Sequence, residues 1–432
     1  LQELIIKNNL KKELKYSSIF NKGGIELPDL IAPDTSKFLK EMDQWYSYVE
    51  EFSSELILTK IKDQNLKRNA LIYDPFIGSG TTAIAANLLK HNSIGIDANP
   101  LMVEVSGVKT NWSLDTKKLV QHLEMIDRKF LKNIYKKIDV SKSFSNMPAK
   151  ELDQWLSLKN QKEIGVLKKI ILEIKDKEIR RFFLVCMSKS AFDTSYVALC
   201  PGTTFYPFRK KQDFWSNFGD KAISKIKQLM VINSFFEPGS SKFINDNCIN
   251  VKKHLSRNCV DFAFTSPPYP NDLEYTRQTR LELYLLDMVS SMEDVSKIKK
   301  DMVKSSTKLI YKDSNSAEFI ESNKVINNLT RQISKKLAGK DWGWDYPRMV
   351  KEYFGDMYLC LKNTKVVLKK DAYFMLVCGD QTIQGVFLPV CDILVEIGKE
   401  LGYKKSYKEP YRIRRSTTHN KPLPEDIVIL QK

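Results

Sequence analysis

Hydrophobic and polar positions divide the chain into short apolar runs and longer mixed stretches. Residues 71–76 form an apolar run that stops at an acid and a proline, and residues 93–97 form a second run that also ends on an acid. Between them lie a glycine-rich turn and strong helix formers at 83–89. Strand, helix and strand in this order predict a βαβ unit with a parallel sheet.

Beyond this unit the pattern changes twice. Strand signals fade, and apolar residues recur at helical spacing, as in residues 163–174. Strands return at 260–265, which ends at a Ser-Pro-Pro-Tyr turn, and at 372–379, which follows a predicted helix at 347–368. The outline is one α/β core with two basic insertions. Its predicted segments are 1–110 and 246–289 for the core, 111–245 for a mainly helical insertion, 290–345 for a second basic insertion, and 346–432 for the C-terminal part of the core.

Composition narrows the class of protein. The 432 residues contain 69 Lys and Arg against 52 Asp and Glu, a formal charge of +17, and 42% are hydrophobic, which excludes a disordered chain. The charge suggests a polyanionic partner, either nucleic acid or an anionic membrane surface, although a generally lysine-rich composition gives the same number. Seven scattered cysteines without a C-x-x-C pair predict reduced thiols in a cytoplasm and no zinc site. No apolar run is long enough for a membrane span, and no signal-peptide layout is present.

The glycine turn has the chemistry of a nucleoside-binding site. A lysine does not precede Thr81, so the turn is not a phosphate-binding P-loop. Asp97, which follows Gly80 by 17 residues at the end of the second strand, can accept both hydroxyls of a ribose. A second acid, Asp74, leads the turn, and a carboxylate repels phosphate but attracts a sulfonium centre, as in S-adenosylmethionine. The alternative is that Asp74 and Asp97 only cap the structures that follow them.

The turn at residues 266–269 is the most specific feature in the chain. Two prolines fix the backbone and remove N–H donors, so the carbonyls become rigid acceptors for an exocyclic amine. The hydroxyl of Ser266 and the carbonyl of Pro267 would take hydrogens from the NH2 group, and Tyr269 would supply a flat face for a flipped base. The alternative is a Pro-Pro loop with a packed tyrosine.

Both motifs resemble those of the DNA amino-methyltransferases, which transfer a methyl group from S-adenosylmethionine to a base nitrogen. The segment 74–82 is similar to that family's cofactor motif, and Thr265 to Tyr269 is similar to its catalytic motif. The resemblance implies an α/β, Rossmann-like methyltransferase core with a mixed, mainly parallel seven-stranded sheet interrupted by helical insertions. It implies S-adenosyl-L-homocysteine as the product and no metal. Implied catalytic residues are Ser266, Pro267, Pro268 and Tyr269; implied cofactor residues are Phe52, Asp74, Pro75, Phe76, Gly78, Gly80, Thr81, Thr82, Asp97, Ala98, Asp246 and Thr265.

The resemblance also bears on the target. A serine at the first catalytic position, here Ser266, usually marks cytosine-N4 enzymes in this family, while adenine-N6 remains the alternative. The implied substrate is double-stranded DNA, and the implied cellular partner is a restriction endonuclease acting on the same site. A methyltransferase acting on RNA or protein and a catalytically inactive nucleic-acid-binding protein are the other two hypotheses.

Basic clusters suggest where DNA is contacted, although a solvated helix face is the alternative for each. Both insertions are candidates for target recognition. The larger one precedes the segment of Asp246, whereas the family arrangement with a central recognition region, which this chain otherwise resembles, has it after that segment. The predicted DNA-binding residues are Arg209, Lys210, Lys211, Arg277, Arg280, Arg412, Arg414 and Arg415.

Overall fold

The computed structural model describes residues 17–20, 34–46, 53–198, 205–206, 212–415 and 422–432. These residues form two compact units. The larger one contains the described residues of Ala32–Trp112 and Phe235–Lys432. The smaller one contains residues 17–20 with those of Ser113–Val197 and Phe205–Ser234. Residues 290–345, predicted as a second insertion, belong to the larger unit.

A seven-stranded sheet in the order β3-β2-β1-β4-β5-β9-β8 forms the centre of the larger unit. The first five strands in this order pair in parallel, β9 is antiparallel to β5, and β8 is antiparallel to β9. The mixed, mainly parallel sheet predicted from the sequence is therefore confirmed. The strands, including the separate β6-β7 hairpin, are β1 (Leu71–Asp74), β2 (Asn92–Asp97), β3 (Ser241–Asn245), β4 (Val260–Thr265), β5 (Leu368–Gly379), β6 (Gln381–Ile383), β7 (Val386–Leu388), β8 (Lys405–Arg415) and β9 (Pro422–Gln431).

Helices cover the faces of this sheet, as the apolar character of the central strands requires. Ile72, Phe262 and Phe374 are fully buried, which is typical of parallel strands covered on both sides. The helices among the described residues are α1 (Thr35–Asp43), α2 (Ser54–Asp63), α3 (Thr81–Leu88), α4 (Pro100–Thr110), α5 (Thr116–Asn133), α6 (Ala149–Trp155), α7 (Leu158–Leu172), α8 (Lys177–Thr194), α9 (Phe214–Phe235), α10 (Val251–His254), α11 (Tyr275–Leu285), α12 (Met292–Asp301), α13 (Lys324–Leu337), α14 (Tyr346–Val367) and α15 (Val390–Glu400).

The smaller unit is helical and is built from α5 to α9. Its core includes Phe130 and Trp215, whose rings stack with centroids 3.6 Å apart. The predicted helical stripe at 163–174 lies in α7 and the residues that follow it, with Ile164, Leu167 and Ile171 buried. Among the described residues, no helix is both long and apolar enough to span a membrane.

The carboxyl ends of the parallel strands meet at one edge of the sheet. Asp74 pairs in register with Gly95 near the end of β2, and Tyr73 pairs with Ala263 in β4. The glycine turn after β1, the acid at the end of β2 and the proline turn after β4 therefore share this edge, which is where open α/β sheets bind their ligands.

Candidate active site

Two glycines shape the turn between β1 and α3. Gly78 and Gly80 have φ angles of +50° and +93°, in the left-handed region that favours glycine. Gly80 directly precedes α3, and a Cβ atom there would lie 3.1 Å from the hydroxyl oxygen of Ser106. The turn therefore leaves its backbone accessible and cannot accept a side chain at residue 80 without displacing α4.

Asp74 lies beneath the glycine turn rather than in the pocket. Its carboxylate accepts hydrogen bonds from the hydroxyls of Thr82 (2.5 Å) and Thr265 (2.6 Å) and from the backbone N–H of Phe76 (2.9 Å). Only 1% of Asp74 is exposed, and burial raises its pKa to about 6. Asp74 thus joins β1, α3 and β4, and it is not among the residues that line the pocket. A ligand would experience its charge only across the turn.

Asp97 has the position expected of a ligand-binding acid. It lines the pocket together with Ala98, and its two oxygens accept the backbone N–H groups of Gly78 (3.0 Å) and Asn99 (2.8 Å). Burial raises the pKa of Asp97 to about 6, against the effect of these two hydrogen bonds. Each carboxylate oxygen has a further acceptor site, so both remain able to accept ligand hydroxyls.

The proline turn faces the same pocket. Ser266, Pro267 and Pro268 line it opposite the glycine turn, so the structure brings the two sequence motifs together. The pocket is lined by Pro75, Phe76, Ile77, Gly78, Ser79, Thr81, Asp97, Ala98, Asn99, Met102, Asn247, Cys248, Ser266, Pro267, Pro268, Tyr275, Asp301, Met302, Val303, Ser305 and Leu309.

Tyr269 does not present an open ring face. It is 2% exposed, and its hydroxyl donates to a carboxylate oxygen of Glu425 at 2.7 Å. The hydroxyl of Ser266 lies 3.3 Å from the same phenol oxygen, and the Arg414 guanidinium covers the ring at 4.8 Å from its centroid. Burial, followed by the nearby carboxylate, raises the pKa of Tyr269 well above its usual range. The ring of Tyr269 is therefore packed within the protein, with the arginine on one side of it.

Glu425 is the site residue that the sequence motifs miss. It lies on β9, is 1% exposed, and also pairs with Arg412 and with Arg414, whose Nε is 3.5 Å away. Within β9, Glu425 shares a strand face with the apolar residues Leu423 and Ile427. A carboxylate on the apolar face of a strand requires buried partners.

Asp246 is bonded to neighbours in its own segment. Its carboxylate bonds to the ring of His254 (2.6 Å), the amide of Asn250 (2.7 Å) and the N–H of Asn247 (2.7 Å), and it does not line the pocket. The adjacent Asn247 and the carboxylate of Asp301 do. Asp301, at the end of α12, comes from the predicted second insertion, which therefore contributes to the pocket.

The remaining predicted residues are distributed as follows. Arg277 and Arg280 lie on α11, which begins at the pocket residue Tyr275, and both are half-buried. Phe52, Arg209, Lys210 and Lys211 lie outside the described residues, as does the side chain of Arg415.

The sheet order and the pocket at its carboxyl edge define the class: an α/β protein with the fold of a methyltransferase. A sequence model of the DNA methylase family, N6_N4_Mtase, matches residues 6–107. The chain is 23% identical to the type II methyltransferase M.AvaI of Nostoc sp. over 84% of this chain and 79% of that protein. It is 24% identical to M.BsoBI of Geobacillus stearothermophilus over 91% and 85%, and 23% identical to M.MvaI of Kocuria varians over 81% and 79%. These matches support a DNA amino-methyltransferase of the restriction-modification type.

Proposed function

We propose that this enzyme transfers a methyl group from S-adenosylmethionine to the exocyclic N4 amine of a cytosine flipped out of duplex DNA. The observation that carries the proposal is the single pocket lined by Asp97 and the glycine turn on one side and by Ser266 and Pro267 on the other. A methyl donor bound beside Asp97 and the glycine turn would lie next to an amine bound by Ser266 and Pro267.

The pocket has the features that S-adenosylmethionine requires. Gly78 and Gly80, with their positive φ angles, shape the turn that lines one side of the pocket, and Asp97 retains acceptor sites for ribose hydroxyls. Met102, Cys248 and Leu309 supply apolar walls for the adenine. Ser305 is one of the lining residues, and its buried hydroxyl lacks a hydrogen-bond partner within the described residues.

The chemistry follows from the acceptors of the proline turn. When bound, the cofactor supplies an electrophilic methyl group on a sulfonium centre. The Pro267 carbonyl and the Ser266 hydroxyl accept the two amine hydrogens and turn the nitrogen lone pair out of conjugation. The nitrogen–carbon bond then forms as the sulfur–carbon bond breaks, and the surplus amine proton leaves to solvent. Positioning and electrostatics govern such a transfer, without a covalent enzyme intermediate.

Cytosine is favoured by the hydroxyl at residue 266. A serine hydroxyl can donate to the ring nitrogen next to the amine as well as accept from the amine itself, whereas a carboxylate only accepts. Adenine N6 is the second candidate, because its exocyclic amine offers the same two hydrogens to the acceptors of the turn.

The relatives, which are named as type II methyltransferases, support a protective role beside a restriction endonuclease that cuts the same site. Such a role would place the protein with the cell's DNA in the cytoplasm. Modification-sensitive sequencing of DNA from cells expressing the protein tests the proposal, since it reports the base and the site together. We expect N4-methylcytosine at one short sequence. Detection of N6-methyladenine instead would assign adenine, not cytosine, as the target base. Transfer of labelled methyl groups to RNA but not to duplex DNA would refute the proposal.

A further inference from the structure

Two tryptophans are exposed beside the catalytic edge of the sheet. Trp342 is 52% exposed and Trp344 is 72% exposed. The chain contains six tryptophans, and the other four, Trp45, Trp112, Trp155 and Trp215, are buried. Large aromatic side chains left in solvent at adjacent positions indicate an interaction surface, since each forfeits the free energy of burial.

The segment carrying them, residues 338–345, joins α13 to α14 and is fixed in position. Gly339 and Gly343 have φ angles of +79° and +81°, which shape the loop. The Lys340 ammonium lies 4.8 Å from the Trp342 ring centroid and 3.3 Å from the side-chain oxygen of Gln384. The indole N–H of Trp344 donates to the Lys340 carbonyl at 3.2 Å.

Two connections place this loop close to the active-site pocket. Gln384 lies in the hairpin that follows the carboxyl end of β5, and β5 is parallel to β4, so the hairpin leaves from the same edge as the proline turn. Tyr346, next to the loop, donates its hydroxyl to Asp272 at 3.0 Å. The N–H of Asp272 donates to the carbonyl of the pocket residue Ser305 at 3.1 Å.

A cationic cleft lies next to the loop. The facing sides of α13 and α14 line it together with residues between 314 and 318. Its four cations, Arg331, Lys335, Arg348 and Lys351, exceed its two acids, Glu318 and Glu352. Arg348 pairs with Glu352, whereas the other three form no ion pair with any residue that the structure describes. Residues 324–351 contain seven Lys and Arg against two Asp. A cleft with unneutralised cations suits a phosphate backbone.

We infer that the Trp342–Trp344 loop and the Arg331–Lys335–Lys351 cleft form the surface that holds duplex DNA while its target base occupies the pocket. The inference rests on the proposed function. The cations bind backbone phosphates, and the indoles contact bases or sugars next to the flipped nucleotide. Aromatic rings and cations share such work in many nucleic-acid-binding surfaces.

Tryptophan fluorescence tests the proposed surface directly, because Trp342 and Trp344 are exposed and the other four tryptophans are buried. Acrylamide quenching is measured with and without sonicated, unmethylated plasmid DNA at low salt, and DNA binding is followed separately by anisotropy of a labelled duplex. We expect DNA to protect the quenchable tryptophans. In Trp342→Ala/Trp344→Ala, quenching should be weak from the start and unchanged by DNA.

Affinity measurements separate the two parts of the surface. Trp344→Ala should weaken duplex binding about tenfold, and Trp344→Phe should restore most of it. Arg331→Ala/Lys335→Ala should lower the slope of log affinity against log salt by about 2, one unit for each lost phosphate contact. Lys242→Ala is the matched control: this exposed lysine lies on edge strand β3, and its loss should leave the slope unchanged.

The outcomes distinguish this inference from the proposed function. Methyl transfer to DNA without tryptophan protection would overturn the surface and leave the enzyme activity intact. Protection without methyl transfer would support the surface and overturn the proposed function. If the tryptophans become protected from quenching without DNA as the protein concentration rises, the loop binds a second copy of the chain. That result would also overturn the inference.

Discussion

Removal of the Tyr269 hydroxyl tests whether this residue anchors the proline turn or acts on the reacting base. Tyr269→Phe removes a 2.7 Å hydrogen bond to the buried carboxylate of Glu425. Hydrogen bonds to charged groups contribute about 1.5–3 kcal/mol. Because Arg412 and Arg414 still neutralise Glu425, we expect a loss of about 2 kcal/mol in the free energy of unfolding, near the middle of that range.

A double-mutant cycle with Glu425→Gln isolates this contact. Urea unfolding of the two single variants and the double variant should give a coupling energy of about 1–2 kcal/mol, since the second substitution removes a partner already lost. Tyr407→Phe is the matched control, because Tyr407 is 41% exposed on β8 and its hydroxyl should contribute less than about 0.5 kcal/mol.

Methyl transfer assays complete the test. Tyr269→Phe keeps the ring and should lower kcat by less than about tenfold, which corresponds to 1.4 kcal/mol. Tyr269→Ala should abolish transfer and leave cofactor affinity nearly intact. A loss above a hundredfold in Tyr269→Phe at unchanged stability would refute the anchoring role, because the hydroxyl would then act on the reacting base.

Four further outcomes follow from the pocket. Gly80→Ala should lower the free energy of unfolding by about 1–2 kcal/mol because of its positive φ, and it should also lower cofactor affinity measured by calorimetry. Gly339→Ala, at a similar φ but with open space around it, should lower stability alone. Asp97→Ala should weaken cofactor binding at least tenfold, because it removes the acceptors for the ribose hydroxyls. Equal cofactor affinity of the variant and the wild type in calorimetry would contradict this expectation. Asp74 has a folded pKa raised to about 6, so this carboxyl binds more protons in the native state than in the unfolded chain between pH 4 and 6. Its contribution should therefore lower stability by about 2–3 kcal/mol as pH rises through this window. In urea titrations Asp74→Asn should remove this share of the loss and leave the share of Asp97, whose pKa is also raised to about 6. Affinity for S-adenosylmethionine should rise with pH through about 6, more than affinity for S-adenosylhomocysteine, in parallel calorimetric titrations.

Local sequence patterns predicted the sheet and the two turns well. Apolar runs ending on acids gave β1 and β2, and the glycines and prolines marked turns that only those residue types can form. The parallel order then required the turns to meet at one edge, so Asp97 and Ser266 were placed correctly in one pocket. The roles of individual side chains depend instead on partners distant in sequence.

Tyr269 and Asp74 show the physical reason. The hydroxyl of Tyr269 bonds to a residue 156 positions later, and this pair exists only because antiparallel β9 lies beside β5. The carboxylate of Asp74 is covered by Thr265, 191 positions later, because β4 lies beside β1. Neither partner is encoded by a spacing, so the sequence could not predict that both side chains form buried hydrogen bonds within the protein.

The buried acids of the framework nevertheless bear on the reaction. Asp74 and Asp97 have raised pKa values chiefly because burial disfavours their charged forms, and the nearby charge of Asp74 raises the pKa of Asp97 further. A cation in the pocket would relieve this penalty, whereas a neutral thioether would not. The same electrostatic arrangement that favours the sulfonium form of the cofactor therefore weakens binding of the demethylated product. We therefore expect a buried carboxylate outside the pocket lining to favour binding of the sulfonium cofactor and release of the neutral product.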